Sequence, residues 1–224
     1  MDSGSARVGR SAGAHMSWSA VVEVWPTESL LFIPELPGYL VKESIPDNLA
    51  AAAESSVQAY LDWLIEGELI EEMPVRGDVR IAQTLIGKGG AGPCFELDRQ
   101  LADDDVRELA LAVGRAGLSD LIFVYDDVPS DKKASAADAL RHIAEMDRWY
   151  ATRMAPAQGK PFAILEDELV QSASLFEETV DLVSDANKPL TWEIDGEEWS
   201  IAKVLRRRTT HLREHLPELL AYLI

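Results

Sequence analysis

The chain has 224 residues, with 21 Lys and Arg against 39 Asp and Glu, a formal charge of −18. A hydrophobic fraction of 47% excludes a disordered acidic tail and leaves enough apolar material for a real core. So acidic a chain does not suit phosphate neutralisation along nucleic acid or docking on anionic lipid, and no apolar run approaches the roughly 20 residues of a membrane span. The single cysteine, Cys94, excludes an internal disulfide and fits a reducing, cytoplasmic setting.

In chain order, residues 1–16 read as a small-residue tail or tag remnant, with Met16 as a possible native start, and have no secretory h-region. Ala20–Trp25, Leu30–Ile33 and Tyr39–Lys42 are short, apolar and β-rich, so they predict three strands. Pro34-Glu35-Leu36-Pro37-Gly38 is a turn, since two prolines and a glycine cannot continue a ladder. A helix is expected from Pro46 to Glu66, where Gly67 stops it. Glu68–Pro74 and Val79–Ile86 each suit a strand, and Gly87–Pro93 reads as a linker. The first unit is thus a ββ(β)α domain with a linker, over 17–97.

Residues 98–224 read as helical. The spacing predicts helices from about Asp103 to Val124, with a possible break near Gly117, and then over 135–154, 162–184 and 200–223. Asp195-Gly196 marks a turn within the last connection. Four such helices describe a four-helix bundle, and the whole chain an α+β protein. Both halves are acidic: 13 acidic against 4 basic side chains over 17–97, and 25 against 15 over 98–224.

Three of the four histidines fall in the helical half. His211 and His215 are an i, i+4 pair, so their rings project from one helix face about 6 Å apart and can share one metal ion. His142, on a different helix, supplies a third nitrogen. A three-imidazole face leaves positions open for water or substrate. The apolar spacing Ile201, Val204, Arg208, His211, His215, Leu219 on one helix and Ala139, His142, Met146, Trp149 on the other puts all three histidines on the core stripe. The competing reading of a core histidine is a hydrogen-bonded structural residue. The zincin pattern is absent, because Glu214 adjoins the second histidine of the pair and not the first. Asp138, Glu145 and Arg208 each stand about one turn from a histidine. The two carboxylates suit ligand orientation or proton transfer and the guanidinium suits an anionic substrate group, although interhelical salt bridges explain them equally well.

The segment Ala139-Leu140-Arg141-His142-Ile143-Ala144-Glu145-Met146-Asp147-Arg148-Trp149-Tyr150 resembles the second-helix motif of the DinB/YfiT-like superfamily, and Trp199–Leu205 with His211-Leu212-Arg213-Glu214-His215 resembles its last helix. The resemblance covers 98–224 and implies a four-helix bundle with a divalent metal, Zn or Ni, on His142, His211 and His215. It further implies a small-molecule substrate or a thiol cofactor such as mycothiol, bacillithiol or glutathione, in a metal-dependent thiol-S-transferase, isomerase or hydrolase, and often a homodimer. Leu31-Phe32-Ile33-Pro34-Glu35-Leu36-Pro37-Gly38-Tyr39, with Asn48–Ala52 and Tyr60–Leu64, resembles a HicB-like domain, with Tyr39 at a position that is usually small or cysteine and with no DNA-binding module following. The alternative reading is a non-catalytic metal- or ligand-binding accessory, related to stress or to toxin–antitoxin systems. Trp18, Trp25 and Trp63 look like more aromatic surface than so small a domain buries, a second reason to expect a homodimer. The N-terminal half carries no candidate ligand outside the tail, so the chemistry is expected in 98–224. Tyr39 or Glu35 would take part only if that half closes the pocket.

Overall fold

The computed structural model describes residues 17–71, 78–88, 92–100, 103–156, 159, 161–184 and 190–224. The tail over 1–16 lies outside the described residues. The chain is α+β: a four-stranded sheet near the N-terminus, one helix packed on it, and four long helices that follow.

The sheet runs β3-β2-β1-β4, from β1 (Ser17–Val24), β2 (Ser29–Phe32), β3 (Leu40–Glu43) and β4 (Asp78–Ile86). Neighbouring pairs are antiparallel except β1 and β4, which are parallel with a register shift at Ala20/Val21. A parallel return needs a crossover, which α1 (Leu49–Glu66) provides between β3 and β4. One sheet face packs Ala20, Val22, Leu31 and Val41 against Ala53, Val57, Leu61 and Leu64 of α1. The other face covers Val21, Leu30 and Phe32 with Phe95 from the connecting segment. Burial on both faces explains why β1 reads as a nearly unbroken apolar run. At the Pro37-Gly38 turn, Gly38 has φ +84, and a Cβ there would lie 2.9 Å from the Tyr60 hydroxyl and from Val113, so both backbone and space require glycine. Glu68–Glu71 is a turn and not the expected strand: Glu68 takes φ 55 and the Leu69 N–H donates back to the Leu64 carbonyl, closing the helix end. The rest of that expected strand, 72–74, lies outside the described residues.

The second half holds α2 (Asp104–Asp126), α3 (Lys133–Met154), α4 (Leu165–Ser184) and α5 (Ile201–Ala221), with a hairpin of β5 (Trp192–Ile194) and β6 (Glu197–Trp199) before α5. Capping side chains set two of the starts. Asp103 accepts from the Asp105 N–H, and Ser200 accepts from the Lys203 N–H at 3.0 Å. No break occurs at Gly117, which is buried inside α2. Leu121, Leu140, Ile143, Leu169 and Leu212 form one helical core, and Tyr150, Phe176, Val180, Trp199 and Val204 another.

The halves are packed together. Val113 of α2 belongs to the sheet's core. Arg206 of α5 reaches Glu23 of β1 at 3.0 Å and Asp98 at 2.8 Å, and Arg207 reaches the same Glu23 at 3.1 Å. Trp18 is buried, Trp63 lies under the Arg213 guanidinium at 4.0 Å, and Trp25 packs against the second face of the sheet. Of the aromatic surface that suggested a homodimer, Trp18 is covered within the chain itself, and Trp25 and Trp63 are half-buried. Among the described residues, no helix is long and apolar enough to cross a membrane.

Candidate metal centre

His142 stands in the middle of α3, and His211 and His215 stand one turn apart on α5, which packs against it. The spacing on α5 and the contact with α3 bring the three Nε2 atoms together. His211 Nε2 lies 3.3 Å from His142 Nε2 and 3.2 Å from His215 Nε2. One ligand atom from each ring falls within 4.8 Å of the others, a grouping found once among the described residues.

The core-stripe expectation needs correction for α3. Its buried face runs through Ala136, Leu140, Ile143, Ala144, Asp147 and Tyr150, so His142 lies beside that stripe and is exposed. His211 and His215 are half-buried. The cluster thus sits on the rim of the helical core, where solutes reach it. Burial, and then the neighbouring His215 and His142, push the His211 imidazole down to about 3, so at neutral pH this ring is uncharged with a lone pair available.

The contacts constrain the protons. A neutral imidazole nitrogen is either donor or acceptor, not both. His215 Nδ1 lies 2.6 Å from Glu218 Oε2, and a carboxylate only accepts, so the proton is on Nδ1 and a neutral His215 presents a lone pair at Nε2. Among neutral rings, His211 then meets both contacts only by sharing one Nε2–H between the lone pairs of His142 and His215, a three-centre arrangement. A divalent cation meets them with three neutral rings. Two nitrogens bound to one tetrahedral zinc at about 2.0–2.1 Å are about 3.3 Å apart, which matches the two observed separations. The donor set and its spacing fit a divalent ion.

The other candidates fare differently. Asp138 and Glu145 are both exposed on α3, on either side of His142 in sequence, and neither makes an ion pair among the described residues. Arg208 does not face the histidines. It is buried, and its Nε and Nη2 each bond an Asp147 carboxylate oxygen at 2.9 Å, so its fork is already taken. Its Nη1 is buried without a partner, and the space it uses exists because position 114 is glycine: a Cβ there would lie 1.7 Å from Nη1. Tyr39 is also committed, bonding Ala53 O and Ser56 Oγ beneath α1. Glu35 is exposed on the turn that lines a cavity of about 170 Å³ with Leu97, Val106 and Arg206, a place where none of the three histidines appears. Burial holds the Cys94 thiol up at about 11, so it stays a thiol at neutral pH.

The N-terminal half reaches α5 directly. Lys42 of β3 pairs with Glu214, and Tyr60 and Trp63 of α1 lie against Arg213. Both contacts fall between His211 and His215 in sequence. Three residues missed by sequence reasoning matter here: Glu218 beside His215, Asp147 holding Arg208, and Glu23 holding Arg206 and Arg207. Only Glu218 had a local signal, a carboxylate one turn beyond a candidate ligand. In comparisons with known proteins, no family model, no curated protein and no solved structure matches this chain.

Proposed function

We propose that this protein binds a divalent metal, Zn²⁺ or Ni²⁺, on His142, His211 and His215 and uses it on a small molecule, as a thiol-S-transferase, isomerase or hydrolase. The observation that carries the reading is the convergence of three Nε2 atoms from two helices at ligand spacing. The resemblance of residues 139–150 and 199–215 to DinB/YfiT-like helices supports the same assignment and suggests a low-molecular-weight thiol as the second substrate. Held by three protein nitrogens, such an ion supplies Lewis acidity and lowers the pKa of a water or thiol that reaches it.

The chain's own residues set the conditions around that chemistry. Burial keeps His211 uncharged and fit to ligate. The exposed edge occupied by His142 leaves one side of the cluster open to solutes. Asp138 and Glu145 are exposed carboxylates on the His142 helix with no ion pair among the described residues, available to move a proton at the rim. Arg208 has no part in holding substrate, because Asp147 occupies it.

The test is a transfer assay on the Zn²⁺- or Ni²⁺-loaded chain with glutathione, bacillithiol or mycothiol and a generic electrophile, with His211→Ala as control. Metal-dependent turnover that His211→Ala abolishes is the expected result. Bound metal without turnover on any thiol or ester substrate favours the non-catalytic accessory reading.

A further inference from the structure

We propose that Glu218 is the positioning residue of the metal centre, holding His215 in the tautomer that ligates. This rests on the metal reading above and extends it to a residue that binds no metal itself. The Glu218 carboxylate lies 2.6 Å from His215 Nδ1, three residues along the same helix, while the Nε2 of that ring points at His211. An ionised carboxylate has no proton to give, so the bond requires Nδ1–H. In the neutral ring the lone pair is then fixed at Nε2, on the side where the three histidines meet. Among the described residues, only His215 has its second ring nitrogen hydrogen-bonded; the bonds of His142 and His211 are all made through Nε2. A carboxylate behind a ligating imidazole orients the ring and raises its basicity, and loss of such a partner weakens metal binding ten- to a hundredfold. Glu218 is half exposed and makes no other ion pair among the described residues, so its fold contribution is small and its substitution leaves a folded chain.

The experiment uses the full chain with Co²⁺ as probe, read by its visible absorption, together with long-range ¹H–¹⁵N spectra of the imidazoles in the metal-free chain. Glu218→Ala is expected to lose ten- to a hundredfold in Co²⁺ affinity, to change the absorption bands and to let His215 mix tautomers. Glu218→Gln keeps an acceptor at the same reach, so it is expected to keep the Nδ1–H form and lose less affinity. A purely structural role would move neither the tautomer nor the bands. Wild-type binding of Co²⁺ with Glu218→Ala within threefold and an unchanged His215 tautomer overturns the role of Glu218 alone. A wild-type chain that takes up no Co²⁺ overturns the metal reading, and this inference with it.

Discussion

Two regions of α5, one turn apart, handle buried polar groups in opposite ways. At the junction with the sheet, Arg206 is buried with Glu23 and Asp98 and its guanidinium lies over the Phe32 and Phe95 rings. Next to it, Arg208 is locked to Asp147. Cations and carboxylates there match, and nothing is left for a ligand to neutralise. A turn further on, three imidazoles gather with their Nε2 atoms together, and the carboxylate in contact with them, Glu218, lies on the far side of the His215 ring at Nδ1. A closed ion pair holds parts together, whereas a cluster of like donors at the surface invites a cation. The contrast separates the residues that build the molecule from those proposed to hold the metal.

Breaking the junction should have the largest effect. Arg206→Ala leaves Asp98 buried without its cation and Glu23 with Arg207 alone, and about 3–5 kcal/mol of stability should be lost in urea unfolding. Replacing Arg206 and Asp98 together by apolar residues should recover much of that loss, because Asp98 is no longer a lone buried charge and Glu23 keeps Arg207. Gly114→Ala should come next: its methyl takes the space of Arg208 Nη1, and the displaced pair with Asp147 should cost about 1–3 kcal/mol, with Asp147→Ala non-additive on top of it.

The histidine cluster predicts a pH effect of definite sign. His211 titrates near 3 in the folded chain and near 6.5 when unfolded, so between these values the unfolded chain binds a proton that the folded one does not. Stability of the metal-free protein should therefore be intact above 6.5 and fall as pH drops from there towards 3. His211→Leu should flatten that part of the profile, as measured by denaturant midpoints at successive pH values. The smallest effect should come from Lys42→Ala, which removes a half-exposed pair with Glu214; a loss under about 1 kcal/mol is expected. A much larger loss would mean that the sheet grips the ligand helix more firmly than an exposed ion pair allows.

Local pattern carried most of the elements. The β-branched run in β1, the Pro-Gly turn and the helix starts near Asp103 and Ser200 all report on neighbours in sequence, and those elements form close to where they are read. The histidine set was legible because i, i+4 spacing is a one-helix property. The face of α3 was not. Alanines at 136, 139, 144 and 151 flatten its hydrophobic contrast, so the stripe through His142 and the true one through Ile143 and Asp147 look alike. Buried pairings were equally hidden: nothing local joins Arg208 to Asp147 or Glu23 to Arg206, because the partners lie far apart in the chain. The parallel pairing of β4 with β1 is likewise a tertiary choice that no local signal marks. The same packing joins 98–224 to the sheet, although the three histidines all lie in that half. A chain starting near Gly92 would strip Glu23 from Arg206 and Arg207 and the aromatic cover from Arg213.

The central claim is that His142, His211 and His215 form one metal site. Its most direct test is calorimetric titration of the metal-free full chain with Zn²⁺ and Ni²⁺, beside His142→Ala, His211→Ala and His215→Ala. One equivalent bound by the wild type, and loss of most of that affinity in each variant with the helical spectrum kept, is the predicted result. A wild-type chain that binds neither ion, or one whose binding survives all three substitutions, would contradict it.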